Sequence, residues 1–139
     1  MMSVIWKALR AAGYSQVQAA GVMGNMQNES AFNVESDWLD TNSYQAYGLI
    51  SWNAAYYPNA PSLVTGDQWA DLTRQVQWLL HDTRRVAKGL RGLTPAEVAS
   101  NWSDYVEHCA GCAFGGYQNS RRQAIAVVIY QEATSGGWG

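Results

Sequence analysis

Charge is what this sequence has least of. Asp, Glu, Lys and Arg make up 14% of its 139 residues, the net charge is −2, and no basic run longer than an Arg pair occurs. A phosphate backbone needs a basic face, so nucleic acid is excluded as the ligand. Long apolar runs are missing too; none approaches the ~20 residues of a membrane-spanning helix, and no membrane partner is expected. The opening MMSVIWKALRAAGYS lacks the apolar block and small-residue cleavage site of a signal peptide. Val4, Ile5, Ala8, Leu9 and Ala12 repeat there at helical spacing instead. Delivery outside a cytoplasm would need some route other than a signal peptide.

Cysteine is nearly absent. Cys109 and Cys112 stand alone in HCAGCAF. A zinc site would need two more ligands, and the two histidines, His81 and His108, are badly spaced for it. A thioredoxin-like role needs a βαβ setting that the chain does not show. A short-loop disulfide and a pair of free thiols both remain. Phenylalanine is scarce as well: two, against seven Trp and eight Tyr. Amphipathic aromatics build cores, but they also line clefts that grip sugars and other flat apolar faces.

What is present is a 47% hydrophobic composition, enough for one domain with a real core. The pattern is mostly helical. A first helix over Val4 to Ala12 closes at Gly13, and Ser15 caps a second. Val17, Ala20, Gly21 and Gly24 form a narrow stripe on it. The two glycines cost about 1 kcal/mol each relative to Ala, which points to a second backbone packed closely there. That helix runs out near Glu29 and Ser30. Residues 33–66 lose helical periodicity and read as an insertion with short strands or turns around Tyr47 to Trp52. Asp67 opens an amphipathic helix carrying Trp69, Leu72, Val76, Leu79 and Leu80, which runs to the basic residues of RRVAKGLRG. Thr94-Pro95-Ala96-Glu97 is a capping box ahead of Val98, Ala99, Trp102, Tyr105 and Val106. Ser120 caps a last helix with Ile125, Val128 and Ile129 buried. The reading is one α-rich domain over residues 1–134, with 135–139 as a tail or linker.

GVMGNMQNESAFN, residues 21–33, carries one acid, Glu29, without a nearby cation in sequence. Asn25, Asn28 and Asn33 can hydrogen-bond the Glu29 carboxyl without neutralising it, and Met23, Met26 and Phe32 can make its surroundings apolar. Such a setting disfavours the charged form and raises a carboxyl pKa, as a general acid requires. The competing reading is an ordinary exposed Glu at a helix end.

GNMQNESAFN, then YGLISWN, then Trp102 with Val106-Glu107-His108, then Arg122, Ala126 and Tyr130, resemble in order the phage-tail lysozyme family of the lysozyme and lytic transglycosylase superfamily. The resemblance covers about residues 4–131. It implies an α-rich α+β lysozyme-like fold, with helices around a cleft and a small strand insertion after the helix carrying Glu29. It makes Glu29 the catalytic acid and Ser30 a residue that orients it, and puts Gly48, Leu49 and Trp52 on the cleft strand. Glu107 and Arg122 become a structural ion pair or network. The chain departs from the family pattern at Val34, Ser51 and Cys109, which stand where Pro, Gln and Pro are usual.

The implied substrate is peptidoglycan, cut at the β-1,4 bond after N-acetylmuramic acid, with no metal or cofactor. A second carboxylate would come from Asp37, Asp40 or Glu35, in that order of preference. Without one, Glu29 could act as acid and then base, and the muramic 6-hydroxyl would attack, as in a lytic transglycosylase. Tyr44, Tyr47, Trp52, Tyr56 and Tyr57 are the stacking candidates, and Ser30, Gly48 and Ser51 complete the expected contacts. The resemblance also implies a virion-associated or lysis-released domain, monomeric in isolation, with other tail or wall-binding domains as partners. A non-catalytic wall-binding module and a CxxC redox protein are the competing functions.

Overall fold

A computed structural model describes residues 1–39, 45–80 and 83–139, with Thr83 described by its backbone only. It shows an α-rich α+β fold, with six α-helices and one three-stranded sheet among the described residues. Helix α1 (Met2–Ala11) buries Ile5, Trp6 and Leu9. Helix α2 (Gln16–Ser30) opens on a reciprocal cap: the Ser15 hydroxyl accepts from the Gln18 amide at 3.1 Å, and the Gln18 side chain accepts from the Ser15 amide at 3.0 Å.

The glycine stripe on α2 is a contact surface. A Cβ added at Gly21 would lie 2.4 Å from Cγ1 of Val98, on α5 (Pro95–Trp102). One added at Gly24 would lie 2.7 Å from the carbonyl oxygen of Arg122, on α6 (Tyr117–Ser135). Helix α2 therefore runs through the middle of the molecule with two helices at backbone distance, and its C-terminal acid is held among them.

The insertion forms β1 (Asp37–Leu39), β2 (Gln45–Tyr47) and β3 (Trp52–Asn53), antiparallel in the order β1-β2-β3. A 3₁₀ turn, Ala60–Leu63, follows. One buried side chain braces this segment. Gln75, on α3 (Gln68–Trp78), donates to the carbonyls of Val34 at 2.8 Å and Leu63 at 2.9 Å, and accepts from the Leu49 amide at 2.9 Å. Gly48, at φ +78°, leaves room for that amide; a Cβ there would sit 2.7 Å from Oε1 of Gln75.

The long helix expected from Asp67 onward is two. Helix α3 ends at Trp78, its last turn tightening as the Leu80 amide bonds the Gln77 carbonyl, and α4 (Thr83–Gly89) follows. No Pro or Gly marks that break, and Trp69 and Leu80, expected in the buried stripe, are largely exposed. The Thr94 hydroxyl caps α5 as expected, but Glu97 reaches back to the Leu93 amide rather than that of Thr94. Helix α5 continues as a π-turn, Ser103–Glu107. Helix α6 starts three residues before the expected Ser120 cap, and its Val128 is exposed. Residues 135–139, read from sequence as a tail or linker, lie on α1: Trp138 packs edge-on against Trp6 at 6.1 Å, and Nε of Arg10 donates to the Gly139 carbonyl at 2.9 Å.

Candidate active site

The C-terminal end of α2 opens onto a cleft of about 890 Å³. Glu29 and Glu107 are at its floor. Trp38, Trp52, Tyr56, Tyr57 and Trp78 give it aromatic walls, and Arg85, His108 and Cys109 also line it. Trp78 meets Trp52 and Tyr57 edge-on, at 6.0 and 6.4 Å between ring centres.

Glu29 is not without a cation. Nη2 of Arg122 donates to its Oε1 at 2.8 Å, and Nη1 of the same guanidinium donates to the Asn25 side chain at 3.0 Å. Arg122 is nearly sealed from solvent, whereas the Glu29 side chain keeps 13% of its surface open. That remaining surface faces the cleft, where a substrate oxygen could reach it. This overturns the expectation of an unpaired acid and adds Glu29 to the expected Glu107–Arg122 pair or network.

The carboxyl with a raised pKa is Glu107. Protein atoms crowd it on every side but a residual face on the cleft, and that desolvation is the main cause; the negative charge of Glu29 adds to it. Arg122 and the Trp102 indole N–H, which donates at 2.9 Å, work in the opposite direction without overcoming it. Burial holds the Glu107 carboxyl pKa well above the usual carboxylate range, and its hydrogen bond with Glu29 pushes the same way. Glu29 thus lies between the Arg122 guanidinium and the Glu107 carboxyl.

The backbone around these acids is strained. Among the described residues, the non-glycine positions at positive φ are Ala31 (50°), Phe32 (61°), Ser51 (55°) and His108 (53°). The first two turn the chain directly after Glu29 and Ser30. Ser51 donates from its hydroxyl to the Glu29 carbonyl at 2.6 Å and accepts from the Trp38 indole at 2.9 Å. His108 follows Glu107. Such conformations cost about 1–3 kcal/mol each and persist where surrounding structure enforces them.

The expected site residues divide. Glu29, Ser51, Trp52 and Tyr56 line the cleft, as does Tyr57. Ser30 does not; its hydroxyl donates to the Leu49 carbonyl at 2.8 Å and ties the end of α2 to the insertion. Gly48 is buried against Gln75, and Tyr47 also lies outside the lining. Asp37 is exposed and accepts from Gln45, while Trp38 beside it on β1 lines the cleft; strand alternation carries Asp37 away from Glu29. Glu35 bonds the Gly66 amide at 3.2 Å and the carboxyl of Asp71, also outside the cleft. Asp40 and Tyr44 lie outside the described residues. Sequence reasoning missed Glu107 as the second cleft carboxyl. It also missed Trp38 and Trp78, whose only signal was the surplus of tryptophan.

Cys109 and Cys112 form a disulfide, and no cluster of potential metal ligands occurs among the described residues. A family model described as phage tail lysozyme matches residues 1–132. No curated protein matches the chain.

Proposed function

The chain belongs to the phage tail lysozyme family, and from that premise we propose that it is an N-acetylmuramidase whose general acid is Glu29. Membership implies peptidoglycan-degrading, lysozyme-like activity, of a glycoside hydrolase or a lytic transglycosylase. The single observation that carries the finer reading is the pairing of the Glu29 and Glu107 carboxyls in one cleft lined by aromatic side chains.

A glycan strand lies along the cleft with sugar faces against Trp38, Tyr56 and Tyr57. The bond after N-acetylmuramic acid sits over the open face of Glu29. The proton moves from Glu107 onto Glu29 and from there to the leaving glycosidic oxygen as the C1–O bond breaks. Arg122 holds the negative charge that remains on the two carboxyls. The resulting carboxylate then takes a proton from the water that attacks C1 of the oxocarbenium-like centre.

A second reading is favoured by one observation: among the described residues, no acid of the 35–39 segment lines the cleft. If no carboxylate stands opposite, the muramic 6-hydroxyl attacks in place of water, which makes the product an anhydro sugar. Mass analysis of digested peptidoglycan separates the readings. Reducing muramic ends are expected. Anhydro ends would move the assignment to a transglycosylase, and intact walls with bound protein would reduce the domain to a binding module.

A further inference from the structure

Cys112 is fully buried and firmly anchored. Its carbonyl accepts from the Ser103 hydroxyl at 2.8 Å, at the start of the π-turn, and from the Asn119 side chain at 2.9 Å, on α6. The neighbouring Gly111 carbonyl accepts from the Asn119 amide at 3.0 Å. Among the described residues, the backbone of Cys109 has only the turn bond from the Cys112 amide at 3.0 Å. It stands two residues after Glu107, on the cleft wall, and its Sγ lies 3.6 Å from Nη2 of Arg122, the same nitrogen that holds Glu29. The disulfide therefore transmits the anchoring of Cys112 to the segment carrying Glu107 and to the far side of Arg122. The Nε of Arg122 is buried without a hydrogen-bond partner among the described residues, so the guanidinium is oriented by Asn25, Glu29 and Cys109.

We propose that the Cys109–Cys112 disulfide is a positioning element of the Glu29–Glu107–Arg122 group, and that a dithiol which opens it lowers wall-degrading turnover. The inference rests on Glu29 being the acid. The exchange is balanced and directional. A reductant thiolate attacks Sγ of Cys109, the partly buried residue that lines the cleft, and the sulfur of the buried Cys112 leaves and takes up a proton. The reductant's second thiol then attacks the mixed disulfide and releases the Cys109 thiol, so the dithiol leaves oxidised and both of its protons end on the protein. With the link open, the left-handed conformation of His108 is held by the bond from its amide to the Ser103 carbonyl at 3.2 Å, without the tie to Cys112. The charged and titratable groups around Glu107 are Glu29 from α2, Arg122 from α6 and Arg85 from α4, with His108 beside it. Asp104 and Tyr105 lie on its own turn, the latter beneath the Lys88 ammonium.

The test compares oxidised protein, protein treated with dithiothreitol, and the Cys109→Ser/Cys112→Ser variant on soluble glycan strands, with near-ultraviolet circular dichroism as the check on folding. The expected result is a kcat at least tenfold lower in the reduced and variant forms, with KM little changed, a displaced pH–rate profile, and recovery of the reduced wild type on reoxidation. An unchanged kcat and profile would overturn the proposal. So would loss of the folded state on reduction, since the bond would then be a general clamp. A carboxyl ¹³C titration of Glu107 in oxidised and reduced protein reads the coupling without catalysis. A moved midpoint supports it even if the oxidised protein releases no fragments, an outcome that would count against the assigned activity alone; an unmoved midpoint overturns it.

Discussion

As the proposed general acid, Glu29 would carry two demands that pull against each other: to be held in place and to deliver a proton. Arg122 holds it, and in the proposed mechanism Glu107 supplies the proton. Glu29→Gln should fold as the wild type does yet clear a peptidoglycan suspension at least ~100-fold more slowly, the scale of a lost general acid. Glu107→Gln keeps a hydrogen-bond donor beside Glu29 but removes the proton that the proposed mechanism passes to it, so its activity should fall while its fold survives; wild-type clearing by this variant would leave Glu107 without a chemical role. Arg122→Met leaves Glu29 and Asn25 facing an apolar group in a nearly sealed site, and should lower stability in urea by roughly 3–5 kcal/mol, the cost of breaking a buried pair. The sequence pointed to Glu29 through its amide-rich, apolar neighbourhood, but its cation lies 93 residues away. No local pattern can show a contact of that range, and an absence of nearby charge in sequence was read as an absence in space. The same limit hid Glu107, whose raised pKa arises from α2, α5 and α6 closing around it.

Helix α2 shows what the elements can tell in advance. Two glycines that weaken a helix need a reason, and the close approach of α5 and α6 supplies it. Gly21→Ala gains about 1 kcal/mol in helix propensity but forces its Cβ into Val98 and the Ala99 amide, so a net loss of about 1–2 kcal/mol is expected in a urea titration. Gly24→Ala pushes on the backbone of Arg122 itself and should lower wall-clearing activity beyond its effect on stability. Periodicity predicted the helices well where caps punctuate them, as at Ser15 and Thr94. It failed between α3 and α4, where no breaker residue appears and the tightened turn after Trp78 ends the helix. The insertion was legible as an interruption of helical period, but its strands are only two or three residues long, too short for alternation to show which acids face the cleft.

For the molecule as a whole, the buried acids set how stability follows pH. Folding raises the pKa of Glu107, and also that of Glu35, which burial and then Asp71 push upward. A raised acid binds its proton more tightly in the folded state, so its contribution is complete below the unfolded value and is lost as pH rises through the folded one. At Asp71 burial pushes upward too, but bonds from Thr65, Glu35 and Arg74 outweigh it and hold the carboxyl low, so its contribution is lost as pH falls. Urea midpoints across pH should therefore fall on both sides, and Glu107→Gln should flatten the decline at higher pH. Gln75 adds a consequence for motion. A single amide gathers backbone groups from Val34, Leu49 and Leu63, and Leu49 in turn accepts from Ser30 beside the acid. The Leu49 amide proton therefore exchanges with deuterium only when this junction comes apart. Its exchange rate is a clock for the parting of the insertion from the helices, and a glycan that bridges the two should slow it.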